Sequence, residues 1–276
     1  MSEYKSDLSK SSQTRRSEAV IISTVMSGHS KWSTIKRQKG AADVKRGQTF
    51  TKITSAITIA AREGGGADPS SNFKLRLAID QAKAANMPKE NIERAIDRGI
   101  GKGADSALET IIYEGYAPGK VALIVEAASD NKNRTTPMIR GTIEKAGGTF
   151  ASPGAVLWMF ADSGLITVEK SGKSFDEVFE SAVDAGAEDV EDAGEFVEVF
   201  TKPNEIEKGK GELLNKGFSI KSAEIFKKPT TLVKVENIDI AKKVLALIEK
   251  LEDLDEVQKV YANFDIPDEL LNSTQS

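Results

Sequence analysis

Thr110-Ile-Ile-Tyr-Glu-Gly-Tyr-Ala-Pro-Gly-Lys-Val-Ala-Leu-Ile-Val-Glu-Ala-Ala128 is the stretch that decides the fold. Two apolar or alternating runs, Thr110–Tyr116 and Val121–Ala128, flank Ala117-Pro-Gly-Lys120, and that pattern predicts a β-hairpin. Gly115 to Val121 superficially resembles a phosphate loop. It has one residue too few between its glycines, Val121 stands where Ser or Thr is needed, and it lies between strands instead of before a helix. The hairpin reading therefore prevails.

Upstream of the hairpin the apolar period is three to four, not two. Phe50, Ile53, Ile57, Ala60 and Ala61 form one helical stripe that stops at Gly64-Gly-Gly66. Leu75, Ala78, Ile79 and Ala82 form a second stripe, and Ile92, Ala95 and Ile96 a third, with Pro88 in its first turn and Gly99 after its end. Helices this short are not stable alone, so they are expected to form a compact bundle. Gly99-Ile-Gly-Lys-Gly103 then reads as a flexible linker.

Downstream, a helix is expected from Pro137 to Ala146, capped by Thr136, and a strand pair (Val156–Phe160, Leu165–Val168) around a turn at Asp162-Ser-Gly164. A helix through Phe175–Ala182, a strand pair around Gly194, a helix over Glu205–Leu214 and a strand from Ser219 to Phe226 follow. Thr231–Val235 reads as a strand, Ala241–Leu251 as a strongly striped helix, and Val257–Phe264 as the closing strand. The recurring unit of two strands, a helix and a further strand predicts a multidomain α+β protein. A helical bundle comes first, then two antiparallel α+β (ferredoxin-like) domains with helices on one face.

Composition excludes several functions. The 276 residues contain no cysteine and one histidine, His29, which removes disulfide scaffolds, Cys/His zinc sites and most His-dependent hydrolases. No nucleophile and carboxylate surround His29, so no enzyme and no cofactor are expected. The acid runs Glu188–Asp192 and Glu252–Glu256 do not match calcium-loop spacing and read as solvated faces or turn ends. No apolar run reaches the roughly 20 residues that a membrane-spanning helix needs. Residues 1–25 read as a disordered extension, and the absence of cysteine fits a reducing cytoplasm.

The net charge of −4, at face value, argues against a nucleic-acid partner. Its distribution argues the opposite. Residues 26–102 hold 15 cations and 7 acids, whereas the chain from Gly103 onward holds 19 cations and 32 acids. Such segregation suggests that one part faces a polyanion while the acidic part faces solvent or a protein partner. The densest cations are Lys31, Lys36, Arg37, Lys39, Lys45, Arg46 and Lys52, accompanied by Trp32 and Phe50 and a single acid, Asp43. These are the expected phosphate ligands, with Trp32 stacking on a base or anchoring the segment. Two loops are candidate contacts to a ribosome or another partner. One is Ala84–Asn91, with Lys89 and with Met87 at a position where a polar helix cap is usual; Met87 is either tucked into the bundle, the reading slightly favoured, or held out as an adaptable contact. The other is Asp130–Pro137, with Lys132 and Arg134, which reads equally well as a plain capped turn leading into a helix.

Several motifs carry a family resemblance. Gly28-His-Ser-Lys-Trp32, Lys45-Arg-Gly47, Phe50-Thr-Lys52, Ala60-Ala-Arg-Glu-Gly-Gly-Gly66 and Ala84-Ala-Asn-Met-Pro-Lys89 resemble the YebC/PmpR family. So do Asn91-Ile-Glu-Arg-Ala95, Tyr113-Glu-Gly-Tyr116, Asp130-Asn-Lys-Asn-Arg-Thr135 and Trp158-Met-Phe160. The resemblance runs in order from Met26 nearly to the C-terminus. It implies a helical bundle over 26–104, an α+β domain from 105–160 and 229–276, and an acidic α+β domain inserted at 161–228. It implies a cytoplasmic, DNA-binding regulator of transcription. Some members instead associate with ribosomes (with rRNA or tRNA as the nucleic acid) and relieve stalls at proline-rich stretches, and a mitochondrial relative activates translation. In that role the loop carrying Met87 would approach the peptidyl-transferase region. Two departures stand out: Lys120 occupies a position where a second glycine is common, and Phe150-Ala-Ser-Pro153 replaces a Leu-Gly turn.

Overall fold

The computed structural model describes residues 21–22, 45–102, 108–267 and 269–271. Three helices come first: α1 (Lys45–Glu63), α2 (Phe73–Ala84) and α3 (Lys89–Gly99). Their three stripes meet as expected, with Ile53, Ile57, Ala60 and Ala61 packed on Leu75, Ala78, Ala82, Ile92 and Ala95. One buried side chain ties the α1–α2 corner. Asn72 caps α2 by accepting from the Leu75 amide at 3.0 Å, and its Nδ2 donates to the carbonyls of Ala60 and Gly66 at 2.7 and 2.9 Å. The opposite side of α2 serves another purpose, because Leu77 joins the core of a second domain and Phe73 packs against that core.

A four-stranded antiparallel sheet follows, in the order β10-β3-β2-β4. Its strands are β2 (Glu109–Ala117), β3 (Val121–Ser129), β4 (Thr149–Ala151) and β10 (Val257–Ala262). The deciding hairpin is β2–β3, paired from Glu109↔Ser129 to Ala117↔Val121. Helices α4 (Lys132–Lys145) and α7 (Ile238–Glu252) cover one face through Ile139, Ile143, Val244, Ile248 and Leu251.

After β4 the chain leaves to build a second sheet in the order β1-β6-β7-β5-β8. It comprises β1 (Ile21–Ile22), β5 (Phe160–Glu169), β6 (Asp189–Ala193), β7 (Phe196–Thr201) and β8 (Ser219–Pro229). Helices α5 (Phe175–Asp184) and α6 (Ile206–Asn215) cover its outer face. The chain then returns through β9 (Val233–Lys234), α7, β10 and β11 (Phe264–Asp265). The inner faces of the two sheets pack together: Ala122, Ile124 and Tyr261 meet Leu165, Phe200 and Phe226. The Phe226 and Tyr261 rings lie edge to face, 5.3 Å between centroids. Strand β3 is consequently buried on both faces, which is why it reads as an apolar run interrupted only by Glu126 before Ser129 ends it.

Four local expectations need correction. First, Asp162-Ser-Gly164 is not a turn. These residues lie inside β5, paired with Lys227, Phe226 and Ile225 of β8. Gly164 is there for space, because a Cβ would sit 2.6 Å from Thr201 Oγ1 and 3.0 Å from Ile206 Cβ. Second, the true turn lies earlier, where Leu157–Met159 form a single 3₁₀ turn in place of the expected strand. Third, α4 begins five residues before Pro137. Asn131, not Thr136, caps it by accepting from the Arg134 amide at 3.2 Å, and Pro137 sits within the helix. Fourth, Ile21 and Ile22 fall in the stretch expected to be disordered, yet this β-branched pair forms a short parallel strand on Asp189 and Val190. The remainder of 1–25 lies outside the described residues, as do 103–107 of the expected linker.

The departure at Lys120 has a measurable consequence. Lys120 closes the β2–β3 turn with φ of +62°, the left-handed region that strains any side chain. Lys120→Gly is expected to raise unfolding stability by about 1 kcal/mol, and equilibrium urea unfolding measures it.

Candidate nucleic-acid interface

The cation run divides by where it lies. Lys31, Trp32, Lys36, Arg37 and Lys39 lie outside the described residues. Lys45 and Arg46 open α1, and their side chains lie outside the description as well. Within residues 45–102, 11 cations outnumber 6 acids, so the helical domain remains positive without the densest part of the run.

Lys52 differs from its expected role. It is half-buried, and its Nζ donates to the Glu252 carbonyl at the C-terminal end of α7. The last carbonyls of a helix have no partner within the helix and carry its partial negative charge, so a lysine is well suited to them. Gln48, one turn earlier on α1, reaches the Asp253 carbonyl at 3.5 Å. Thus α1 caps a helix of another domain, and Lys52 is spent on that contact. Lys52→Met is expected to cost about 1–2 kcal/mol of stability while leaving the salt dependence of nucleic-acid binding unchanged. Paired urea titrations and binding isotherms distinguish this from a phosphate contact.

Met87 is also explained by folding. Asn86 takes φ of +57° after the end of α2, its amide bonds to Lys83 O at 3.0 Å, and the Met87 amide bonds to Ala82 O at 2.9 Å. This is the Schellman helix end, in which the residue after the left-handed position places an apolar side chain against the last turn. Met87 does so, only 6% exposed, within the same core as Ala82. Pro88, not Met87, is the cap residue of α3. The side chain is therefore inside the bundle, and substituting it perturbs that core before any contact.

Lys89 projects into solvent with only a loose pair to Glu93 at 3.4 Å. Lys132 is exposed at the start of α4. Arg134 is held by Asp130 at 3.0 Å and by Glu256 at 3.6 Å. The structure thereby brings Lys52 and Arg134 to the two ends of one short segment, the α7–β10 turn from Glu252 to Glu256. That acid run is a turn end, as its spacing suggested, and it receives cations from two domains. The other run lies along β6. There Asp189 and Glu191 bind Lys228 and Asp192 binds Lys170. Lys228 also lies over the Phe200 ring, 3.7 Å from its centroid.

Sequence reading passed over the outward face of α3. Arg94 and Arg98, four residues apart, lie opposite the buried Ile92 and Ala95 and are exposed. Glu90 and Asp97 share that face, so it is nearly neutral overall. Lys83 at the end of α2 is exposed too and has no ion pair among the described residues. Helical spacing would have found these cations, but their density is lower than that of the 31–52 run.

Known proteins match this chain along nearly its whole length. The profile of the TACO1/YebC protein N-terminal domain matches residues 30–102, and that of the TACO1/YebC second and third domain matches residues 108–264. A probable transcriptional regulatory protein of Roseiflexus castenholzii is 53% identical over 249 residues, covering 89% of this chain and 97% of that relative. One of the same description from Dictyoglomus thermophilum is 52% identical over 249 residues, covering 90% and 99%. Among solved structures, a conserved hypothetical protein of Aquifex aeolicus superposes with a TM-score of 0.78 at 44% identity, covering 82% of this chain and 93% of that one.

Proposed function

Because this chain belongs to the TACO1/YebC family, we propose that it is a non-enzymatic regulator of gene expression that binds nucleic acid, acting as a DNA-binding regulator of transcription in the cytoplasm. The observation that carries this reading is the segregation of charge: a cationic first third joined to an acidic remainder. Relatives named as probable transcriptional regulatory proteins support it. Lys31, Lys36, Arg37, Lys39, Lys45 and Arg46 neutralise phosphates, and Trp32 stacks or anchors. No helix among the described residues is long and apolar enough to cross a membrane.

The test is duplex binding across a salt series. With six phosphates neutralised, log K is expected to fall against log salt with a slope of about −5. A slope near zero, or no binding at 0.1 M salt, would remove the phosphate assignment. One observation favours a second reading, a ribosome-associated translation factor. The outward face of α3 interleaves Arg94 and Arg98 with Glu90 and Asp97, which is a poor surface for reading a major groove. Scattered cations such as Lys89 and Lys132 suit the irregular surface of folded RNA better. Co-sedimentation with ribosomes, combined with weak and sequence-blind duplex binding, would decide for that reading.

A further inference from the structure

The second sheet has one border that is covered only in part. β6 pairs along its length with β7 on one side, and on the other side Asp189 and Val190 meet the parallel strand β1. The β1–β6 ladder stops at Val190, whereas β6 continues to Ala193. A sheet border offers a row of backbone N–H and C=O groups to a further extended strand, whose affinity comes from main-chain hydrogen bonds. The side chains of β6 restrict which strand fits. Lys228 binds Asp189 and Glu191, the latter at 3.2 Å, and Lys170 binds Asp192 at 2.8 Å. With its carboxylates already held by lysines of the same domain, this border has little to offer a basic segment. It suits an uncharged strand, which brings no charge to desolvate.

The chain carries such a strand around β1. Ala19-Val-Ile-Ile-Ser-Thr-Val25 contains no charged residue, and five of its seven residues are β-branched. Cations stand on either side of it, at Arg15-Arg16 and from Lys31 onward. The stretch lies ahead of residue 30, where the family match begins, so family membership does not account for it. We propose that the outer border of β6 is a strand-docking site and that its occupant is Val20–Val25 of the same chain. The register is the one set by Ile21↔Asp189 and Ile22↔Val190. Ser23 then lies opposite Glu191, Thr24 opposite Asp192 and Val25 opposite Ala193. Residues 23–44 connect this strand to α1 and include Lys31, Lys36, Arg37 and Lys39, so docking fastens the start of the basic run to the acidic domain.

Because the chain has no cysteine, the register can be tested by cross-linking. Directly opposed residues on neighbouring strands lie about 5 Å apart, within disulfide reach, whereas four residues along a strand span about 13 Å. Full-length Thr24→Cys/Asp192→Cys is expected to form an intramolecular disulfide on mild oxidation with diamide. Thr24→Cys/Glu188→Cys, four residues out of register, should not. Glu188 and Asp192 are both exposed, so these substitutions spare the core. Equal cross-linking of the two pairs, or none in either, overturns the proposal. A disulfide between two chains, seen as a doubled mass on non-reducing electrophoresis, also overturns it, because the occupant is then a second copy. Hydrogen exchange gives an independent reading. Deleting residues 2–25 should speed exchange of the outward-facing amides of β6 about five- to tenfold, the weight of one hydrogen bond, while β7 keeps its protection. Unchanged exchange at β6 in that variant overturns the proposal.

Discussion

Glu114→Ala is expected to destabilise the protein by about 3–5 kcal/mol, more than any other single substitution considered for this chain. Glu114 is 4% exposed, on β2, and its carboxylate accepts three backbone amides from the segment that leaves the first sheet for the second. Gly154 donates to Oε1 at 2.5 Å, and Val156 and Leu157 donate to Oε2 at 2.7 and 2.9 Å. Removing the carboxylate strands three donors, at about 1–3 kcal/mol each where water is excluded. Glu114→Gln retains one acceptor oxygen and should cost less. Burial is the largest single influence on this carboxyl and would raise its pKa, but the three amides together outweigh it, so the group titrates below the ordinary glutamate range. A depressed pKa contributes stability that is fully present above the unfolded value of about 4.3 and is lost as pH falls through the folded value. The wild type should therefore lose its advantage over Glu114→Gln on acidification below about pH 4. Urea unfolding of both at pH 7 and at pH 3.5 measures the difference, and a constant difference would show that the amides do not hold the charged form.

Reversing three charges together, Lys36→Glu, Arg37→Glu and Lys39→Glu, is expected to abolish nucleic-acid binding. If each cation neutralises one phosphate, their contribution to log K at 0.1 M salt is about 2.7 units, or roughly 500-fold, from counterion release alone. The added carboxylates repel the backbone and deepen the loss. The stability of the described domains should change by less than about 0.5 kcal/mol if these side chains are solvated. Fluorescence anisotropy on a labelled duplex, beside a thermal melt, separates lost contact from lost fold. Tight binding retained by a folded triple variant would refute the phosphate assignment of this run.

The α+β class and most elements were legible in the sequence because periodicity reports burial on one face. The stripe from Ala241 to Leu251 and the runs around Ala117–Lys120 appear in the structure as α7 and the β2–β3 hairpin. The errors came where a residue serves two purposes. Asp162-Ser-Gly164 has turn composition, yet it sits mid-strand because Asp162 meets Lys227 and Gly164 makes room for Ile206. Pro137 marks a helix start by its chemistry, but Asn131 had already provided one. Met87 seemed out of place only because the end of α2, not the start of α3, dictates it. In the candidate interface, Lys52 has the same composition signal as its neighbours in the run. What sets it apart is the end of α7, 200 residues away in sequence, and no local pattern encodes that.

The double burial of β3 bears on how the molecule can be made. One of its edges is covered at once by β2, but the other waits for β10, which begins at Val257, more than a hundred residues after β3 ends. Its second face waits for the sheet built from β5 to β8. During synthesis the most apolar strand of the protein is thus left with an open, sticky border until the last tenth of the chain emerges. A stop codon anywhere ahead of Val257 leaves that border permanently open, so shortened products carrying the hairpin should accumulate as aggregates instead of as working fragments.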